Sequence, residues 1–146
     1  IAQEVAQMRA RLQAAKPGQG VLDAKDGPGR LQDIELLAQM GALLAASPAR
    51  RTEAQLLAAR RAGLLDKADE AALLAAYRLM WRVQCALRLL ADRVSDPQDL
   101  GAGARAFLLR ETDMPDLDAL ATAISDNAGK VRAIIERHLP APGKPG

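Results

Sequence analysis

The sequence predicts an all-α protein, a helical bundle of about five to six helices with one long central helix. Three observations carry that expectation. Hydrophobic residues make up 49% of the 146 positions while aromatics make up 2%, so a core has to be assembled from Leu, Ala, Ile, Val and Met, an Ala- and Leu-rich mixture that favours helix. Apolar residues recur at intervals of three and four through most of the chain. Pro, Gly and capping residues punctuate those periodic runs at helix-length intervals. A chain of this length fits one domain and can bury a real core.

Residues 1–16 read as the first helix, with Ile1, Val5, Met8 and Leu12 on one face and Arg9, Arg11 and Lys16 toward a C-terminus whose dipole suits cations. Pro17-Gly18 ends it. Residues 18–29 form a loop with an extended portion, in which Val21 and Asp23 point one way and Leu22 and Ala24 the other. The second helix spans about 30–46, burying Leu31, Ile34, Leu37, Ala38, Gly41 and Leu44. Gly41 costs about 1 kcal/mol against Ala inside a helix, which points to a neighbour in close approach. Ser47-Pro48 stops this helix. Thr52 and Gln55 fit a capping box for a short helix to residue 62, with Gly63 as its C-terminal cap.

Asp66 caps the long helix, 67–94, about 40 Å at 1.5 Å per residue. Its apolar stripe, Leu73, Tyr77, Met80, Trp81, Val83, Leu87, Leu90 and Ala91, is wide enough for a central position. Arg78, Arg82, Arg88 and Arg93 interrupt it and are expected in solvent or snorkelling. Any that turned toward Asp33 or Glu35 would be a structural ion pair. Ser95-Asp96-Pro97 is a break and a new cap. A short helix at 100–110 follows, with Leu100, Ala104, Phe107 and Leu108. Met114-Pro115-Asp116 opens the last helix, 116–139, weakened in its middle by Gly129. Residues 140–146 are Pro/Gly-rich and read as a disordered tail. Residues 1–139 are therefore one helical domain, and no repeat of 20–50 residues is visible.

Composition excludes several functions. The formal charge is only +2, from 20 basic and 18 acidic residues, with one Trp, one Tyr and one Phe. Nucleic-acid binding calls for clustered cations and aromatic platforms. No apolar run reaches the ~18 residues of a membrane span, and no signal peptide is visible. A single Cys, Cys85, rules out an internal disulfide and reads as a buried, inert thiol, consistent with a cytoplasmic setting. The single His, His138, lacks the companions a metal site needs and fits the C-terminal end of a helix. Asp116 and Asp118 resemble a metal-binding pair but sit where a helix begins, where capping explains them. There is no Walker loop and no dinucleotide fingerprint. Ile1 is not an initiator Met, so a piece of a longer protein is expected.

One stretch is not explained by helix packing. Asp23, Lys25 and Asp26 alternate charge, Gly27-Pro28-Gly29 breaks regular structure, and Leu31 and Ile34 begin a helix. A charged segment, a glycine turn and a helix N-terminus can together face a phosphate, although such a turn is more often only a turn.

The residues Asp23, Lys25, Gly27, Gly29, Leu31, Asp33, Ile34 and Glu35 match a signature of the glutamine synthetase adenylyltransferase family, Asp-x-Lys-x-Gly-x-Gly-Gly-Leu/Ile-x-(Asp/Glu)-Ile-Glu. The chain resembles that family over essentially all of residues 1–139, including Met8-Arg9, Lys16-Pro17, Arg51-Thr52, Ala62-Gly63-Leu64-Leu65 and Ala76-Tyr77-Arg78. It departs at Arg30, where the family usually has a second glycine. PII uridylyltransferases carry a related, shorter pattern without the Ile-Glu continuation.

The resemblance implies a polypeptide with two similar halves, each a nucleotidyltransferase domain followed by a helical domain, one half adenylylating a tyrosine of glutamine synthetase and the other removing AMP by phosphorolysis. The family's catalytic domain carries Gly-Ser and Asp-x-Asp. This chain has no Gly-Ser, so it resembles the helical domain alone, and its Pro/Gly tail suggests the last domain, in the transferring half. ATP and magnesium are implied for the parent enzyme, and none for the isolated domain. The implied partners are an upstream nucleotidyltransferase domain, glutamine synthetase and the PII signalling protein, with neither nucleic acid nor membrane. Asp23, Lys25, Gly27, Gly29, Asp33 and Glu35 are the candidates for the nucleotide cleft, with no catalytic or metal-binding residue expected in this chain. Two alternatives stand beside this: the equivalent domain of the adenylyl-removing half or of a PII uridylyltransferase, and a free-standing helical interaction module.

Overall fold

The computed structural model describes residues 1–18, 20–90 and 100–140. Within them the chain is all-α, with six helices and no strand: α1 Ala2–Ala15, α2 Leu31–Leu44, α3 Thr52–Arg61, α4 Lys67–Leu89, α5 Ala102–Thr112 and α6 Leu117–His138. The expected continuation of the long helix through 91–94, with Ala91 and Arg93, the break at Ser95-Asp96-Pro97 and the tail at 141–146 lie outside the described residues.

α2 and α3 form one tight pair, and α4 packs against α5 and α6 and against α2 and α3, with α2 also meeting α6. Ile34, Leu56, Leu73, Met80, Val83, Leu108, Leu120, Ile124 and Ile135 meet in a single core. α4 is the central strut, about 35 Å long at 1.5 Å per residue. Gly41 has the neighbour its cost implied: a Cβ placed there would lie 2.7 Å from the Cβ of Ala59 on α3. Ion pairs lace the bundle, among them Arg60 Nε to Glu70 Oε2 at 3.0 Å between α3 and α4, and Arg137 Nη2 to Asp69 Oδ1 at 2.7 Å between α6 and α4.

Helix ends follow local chemistry. Asp66 Oδ1 accepts from the Asp69 N–H at 2.7 Å, and Asp116 Oδ1 from the Ala119 N–H at 2.7 Å. These are the N-caps the sequence indicated, and they account for Asp116 without a metal. Gly63, at φ 80°, lets the Leu64 N–H reach the Ala59 carbonyl and close α3. His138 is the last residue of α6, with Nε2 3.9 Å from Asp69 Oδ2.

Four expectations are corrected. The buried edge of α1 runs through Ala2, Val5 and Ala6, while Ile1 and Met8 are exposed; α1 meets the body chiefly along α2, and the smaller side chains permit the close contact. Thr52 and Gln55 form no capping box. The cap position is Arg51, one residue earlier, so Thr52 is already helical, and Gln55 Nε2 donates to the Ala49 carbonyl at 3.1 Å. Leu44 is exposed because α2 ends there, with Ala46 left-handed at φ 52°. On α4, Trp81 and Cys85 are exposed, not buried: the core takes the face of Leu73, Ala76, Met80, Val83 and Ala86, and the other side of the wide apolar stripe is left in solvent.

Candidate functional site

The stretch from Pro17 to Arg30 is a run of bends and turns leading into α2. Leu22 and Ala24 are fully buried while Val21 is exposed, so the alternation read from the sequence is present without a strand. Those two side chains pin the loop to the core. Asp23 Oδ1 accepts from the N–H groups of Lys25 and Asp26 at 3.1 and 3.0 Å, an Asx-type turn that rounds the charged segment. The first amides of α2 are then taken by the loop itself: the Leu31 N–H donates to the Ala24 carbonyl at 3.0 Å and the Gln32 N–H to the Lys25 carbonyl at 3.1 Å. Two of the donors that a helix N-terminus would offer an anion are thereby satisfied internally. Anion binding here would fall to side chains.

Asp33 is the tie. Only 2% of it is exposed. Its carboxylate accepts two parallel bonds from Arg9 on α1, Nε to Oδ1 and Nη2 to Oδ2, both at 2.8 Å. Oδ2 also accepts from the Gly29 N–H at 2.7 Å. A buried carboxylate needs such partners, because leaving the charge uncompensated is strongly destabilising. One residue therefore joins α1, the glycine turn and α2. Gly29 is constrained from the opposite side as well. Its φ is +75°, and a Cβ there would lie 1.9 Å from the Ala128 carbonyl oxygen of α6. Gly27 is also left-handed, at φ 109°. Gly29 thus serves close backbone packing of the turn on α6, while a Cβ on Gly27 would lie 3.2 Å from the Pro17 carbonyl oxygen within the loop itself.

Position 30 explains its own departure from the family pattern. The Arg30 backbone is extended, at φ −100° and ψ −170°, which needs no glycine. Its guanidinium folds back over the loop, and Nη1 donates to the carbonyls of Asp23 and Val21. Burial pushes the Arg30 pKa down and the Asp23 charge pulls it back up. A cavity of about 410 Å³ lies between this loop and α6, lined among others by Gly18, Asp26, Arg30, Ser125 and Arg132.

Lys25 and Glu35 remain on the outer surface. Partial burial raises the Glu35 pKa, and the nearby positive charge of Lys25 opposes the rise, so the two form one local charge system. The six sequence-predicted residues therefore come together in one loop-and-helix corner, in two layers. Asp33, Gly27 and Gly29 face inward. Lys25 and Glu35 face outward, and the Asp23 carboxylate shapes the turn between them. Sequence reasoning missed Arg9, whose partner lies 24 residues away; the available signal was a carboxylate in an apolar helix face that had to find a cation. Among the described residues, no group of three or more His, Cys, Asp or Glu side chains is placed to hold a metal ion.

Comparison with known proteins gives a consistent assignment. A family model described as GlnD PII-uridylyltransferase matches residues 1–137. The bifunctional glutamine synthetase adenylyltransferase/adenylyl-removing enzyme of Mesorhizobium japonicum is 30% identical over 145 residues, 97% of this chain and 15% of that protein. The proteins of the same description from Rhodopseudomonas palustris strain TIE-1 and Rhizobium meliloti are each 32% identical over 142 residues, 94% and 93% of this chain and 14% of theirs. The chain thus spans about one seventh of the length of these relatives.

Proposed function

Because the chain belongs to the GlnD PII-uridylyltransferase family, we propose that it is the helical domain of a bifunctional glutamine synthetase adenylyltransferase/adenylyl-removing enzyme, completing the nucleotide cleft of an adjoining nucleotidyltransferase domain and helping to position glutamine synthetase or PII. The observation that carries this reading is the two-layered corner at residues 23–35. Asp33, clamped by Arg9 and Gly29, holds the turn, so that Lys25 and Glu35 stand outward on a rigid base. A site assembled on such a base can orient a ligand more sharply than a free loop.

In this proposal Lys25 supplies a positive charge for a phosphate of the bound nucleotide. The Glu35 carboxylate orients Lys25 and accepts from a donor on the nucleotide or the adjoining domain. ATP and magnesium belong to the adjoining domain, where paired metals would supply the chemistry of phosphoryl transfer; this chain's own part is to bind, orient and shield. The cytoplasm is the proposed location. Among the described residues, no helix is long and apolar enough to cross a membrane.

The adenylyl-transferring assignment is favoured over PII uridylylation by the Ile34-Glu35 continuation of the motif and by the names of the relatives. The test is transfer of AMP to glutamine synthetase, and its phosphorolytic removal, by the parent protein carrying Lys25→Ala or Asp23→Ala. Lys25→Ala is expected to slow one of the two reactions by about tenfold or more, the size expected for losing one charge contact in a transition state. Loss of transfer alone assigns the domain to the transferring half, and loss of removal alone to the other. Both reactions at full rate with both variants would overturn the cleft reading.

A further inference from the structure

The face of α4 turned away from the core carries a second constellation. Tyr77, Trp81, Cys85 and Leu89 follow one another at intervals of four, a line along one side of the helix. Trp81 is 40% exposed and Leu89 75%, and Cys85 is exposed. Tyr77 and Trp81 stack at a tilt, ring centroids 6.4 Å apart. They are two of only three aromatic residues in the sequence; Tyr77 is half-buried with one side against the core, and Trp81 stands at the surface. With Glu53 of α3 and Glu111 of α5 as walls, these residues line a groove of about 300 Å³.

The charges of the groove are unequal along its length. At one end Arg78 lies 3.6 Å from Glu53, which offsets it. Further along, Arg82 and Arg88 outnumber the one acidic wall residue, Glu111; neither arginine makes an ion pair with a described residue, and Arg88 lies over the Trp81 ring at 5.9 Å. An exposed apolar line beside two such cations suits a helix with an apolar stripe and carboxylates on its flank. From Tyr77 to Leu89 the groove runs about 18 Å, some three turns of helix. The relatives are about seven times longer than this chain, so polypeptide to fill it is available in proteins of this kind.

We propose that the Tyr77–Leu89 face of α4 is a docking groove for one acidic, amphipathic helix from the rest of the parent polypeptide, seated on Trp81 and Leu89 and fixed in direction by Arg82 and Arg88. The proposal rests on the reading of this chain as one domain of a larger protein. Its site is separate from the 23–35 corner. Docking there would set the orientation of this domain against its neighbours.

Cys85 lies inside the groove and serves as a built-in probe. The parent protein is alkylated with iodoacetamide under native conditions and in urea, and the Cys85 peptide is followed by mass spectrometry. Occupancy of the groove predicts labelling of Cys85 at least about tenfold slower in the native parent than in urea, as for any group released only by local opening. Arg82→Glu with Arg88→Glu should abolish most of that protection, and Arg82→Lys with Arg88→Lys should keep it. A photo-crosslinking amino acid in place of Leu89 should capture an acidic segment of the same polypeptide. Native labelling at the urea rate overturns the proposal. So does protection indifferent to the charge reversal, and so does capture of a second copy, a different protein or a segment without carboxylates. Because the readout is labelling and not catalysis, failure of the cleft reading in the adenylylation assay leaves this result distinct.

Discussion

At the scale of single residues, Glu35 carries a pH signature. Burial raises its pKa in the folded protein, with Lys25 opposing. A carboxyl whose folded pKa lies above its unfolded value contributes stability that is fully present below the unfolded pKa and is lost as pH rises through the folded one. The native state is therefore expected to lose this contribution on going from about pH 4 upward. Glu35→Gln should be at least as stable as the unmodified protein at pH 7, with the difference vanishing near pH 4, and Lys25→Ala should steepen the loss. Urea denaturation at the two pH values checks this; a Glu35→Gln effect of equal size at both would show that packing, not titration, governs the site. Asp33, two residues earlier in the same helix, could be named from the sequence but not its task. Nothing local distinguishes a carboxylate reserved for Arg9 from one facing a ligand, because the partner arrives from another helix.

At the scale of elements, the α2–α3 contact is set by one missing methyl. Gly41→Ala recovers about 1 kcal/mol of helix propensity, but its Cβ would lie 2.7 Å from that of Ala59. Neither atom can move without its backbone, so the pair must separate, and overpacking of this kind costs about 1–3 kcal/mol. The net expectation is destabilisation by roughly 1 kcal/mol, relieved in the double variant Gly41→Ala with Ala59→Gly; thermal denaturation of the three proteins decides it. A single variant more stable than the original would mean that the helices have slack. The caps at Asp66, Asp116 and Gly63 were legible because they depend on a few neighbouring residues. The capping box at Thr52 was misread for the same reason: its pattern is short, and a start one residue earlier defeats it. The buried face of α1 was misread because Ile1 and Met8 pass for core residues by type, whereas the seam with α2 accepts small side chains.

At the scale of the whole molecule, α1 is the least anchored helix. It has one buried residue, Ala6, and packs chiefly against α2, and the Arg9–Asp33 pair is its main polar link to the body. Removing one partner of a buried pair costs about 3–5 kcal/mol, with the lower end fitting a partly exposed Arg. Arg9→Met is expected to release α1 and loosen the 23–35 corner with it. Amide hydrogen exchange should then rise in α1 and around Gly29 while α4 and α6 keep their protection. Uniform loss of protection would mean that the molecule unfolds as one unit. Linkage of this kind makes the corner dependent on a helix that shares none of its sequence.

The all-α class, a count of about five to six helices, the start of the long helix and several helix ends were determined by the sequence alone, because periodicity, capping and chain breaks act over a few neighbouring residues. The Asp23-to-Glu35 motif could likewise be named from the sequence, since it is contiguous. The division of labour within that motif was decided only by the tertiary structure. Which carboxylate is buried depends on Arg9 arriving from α1, which glycine is obligatory depends on the Ala128 carbonyl of α6, and which side of α4 faces solvent depends on where α5 and α6 lie. Contacts between residues distant in the chain follow from how whole helices pack, and helix packing is a property of the assembled faces that no short window of sequence contains.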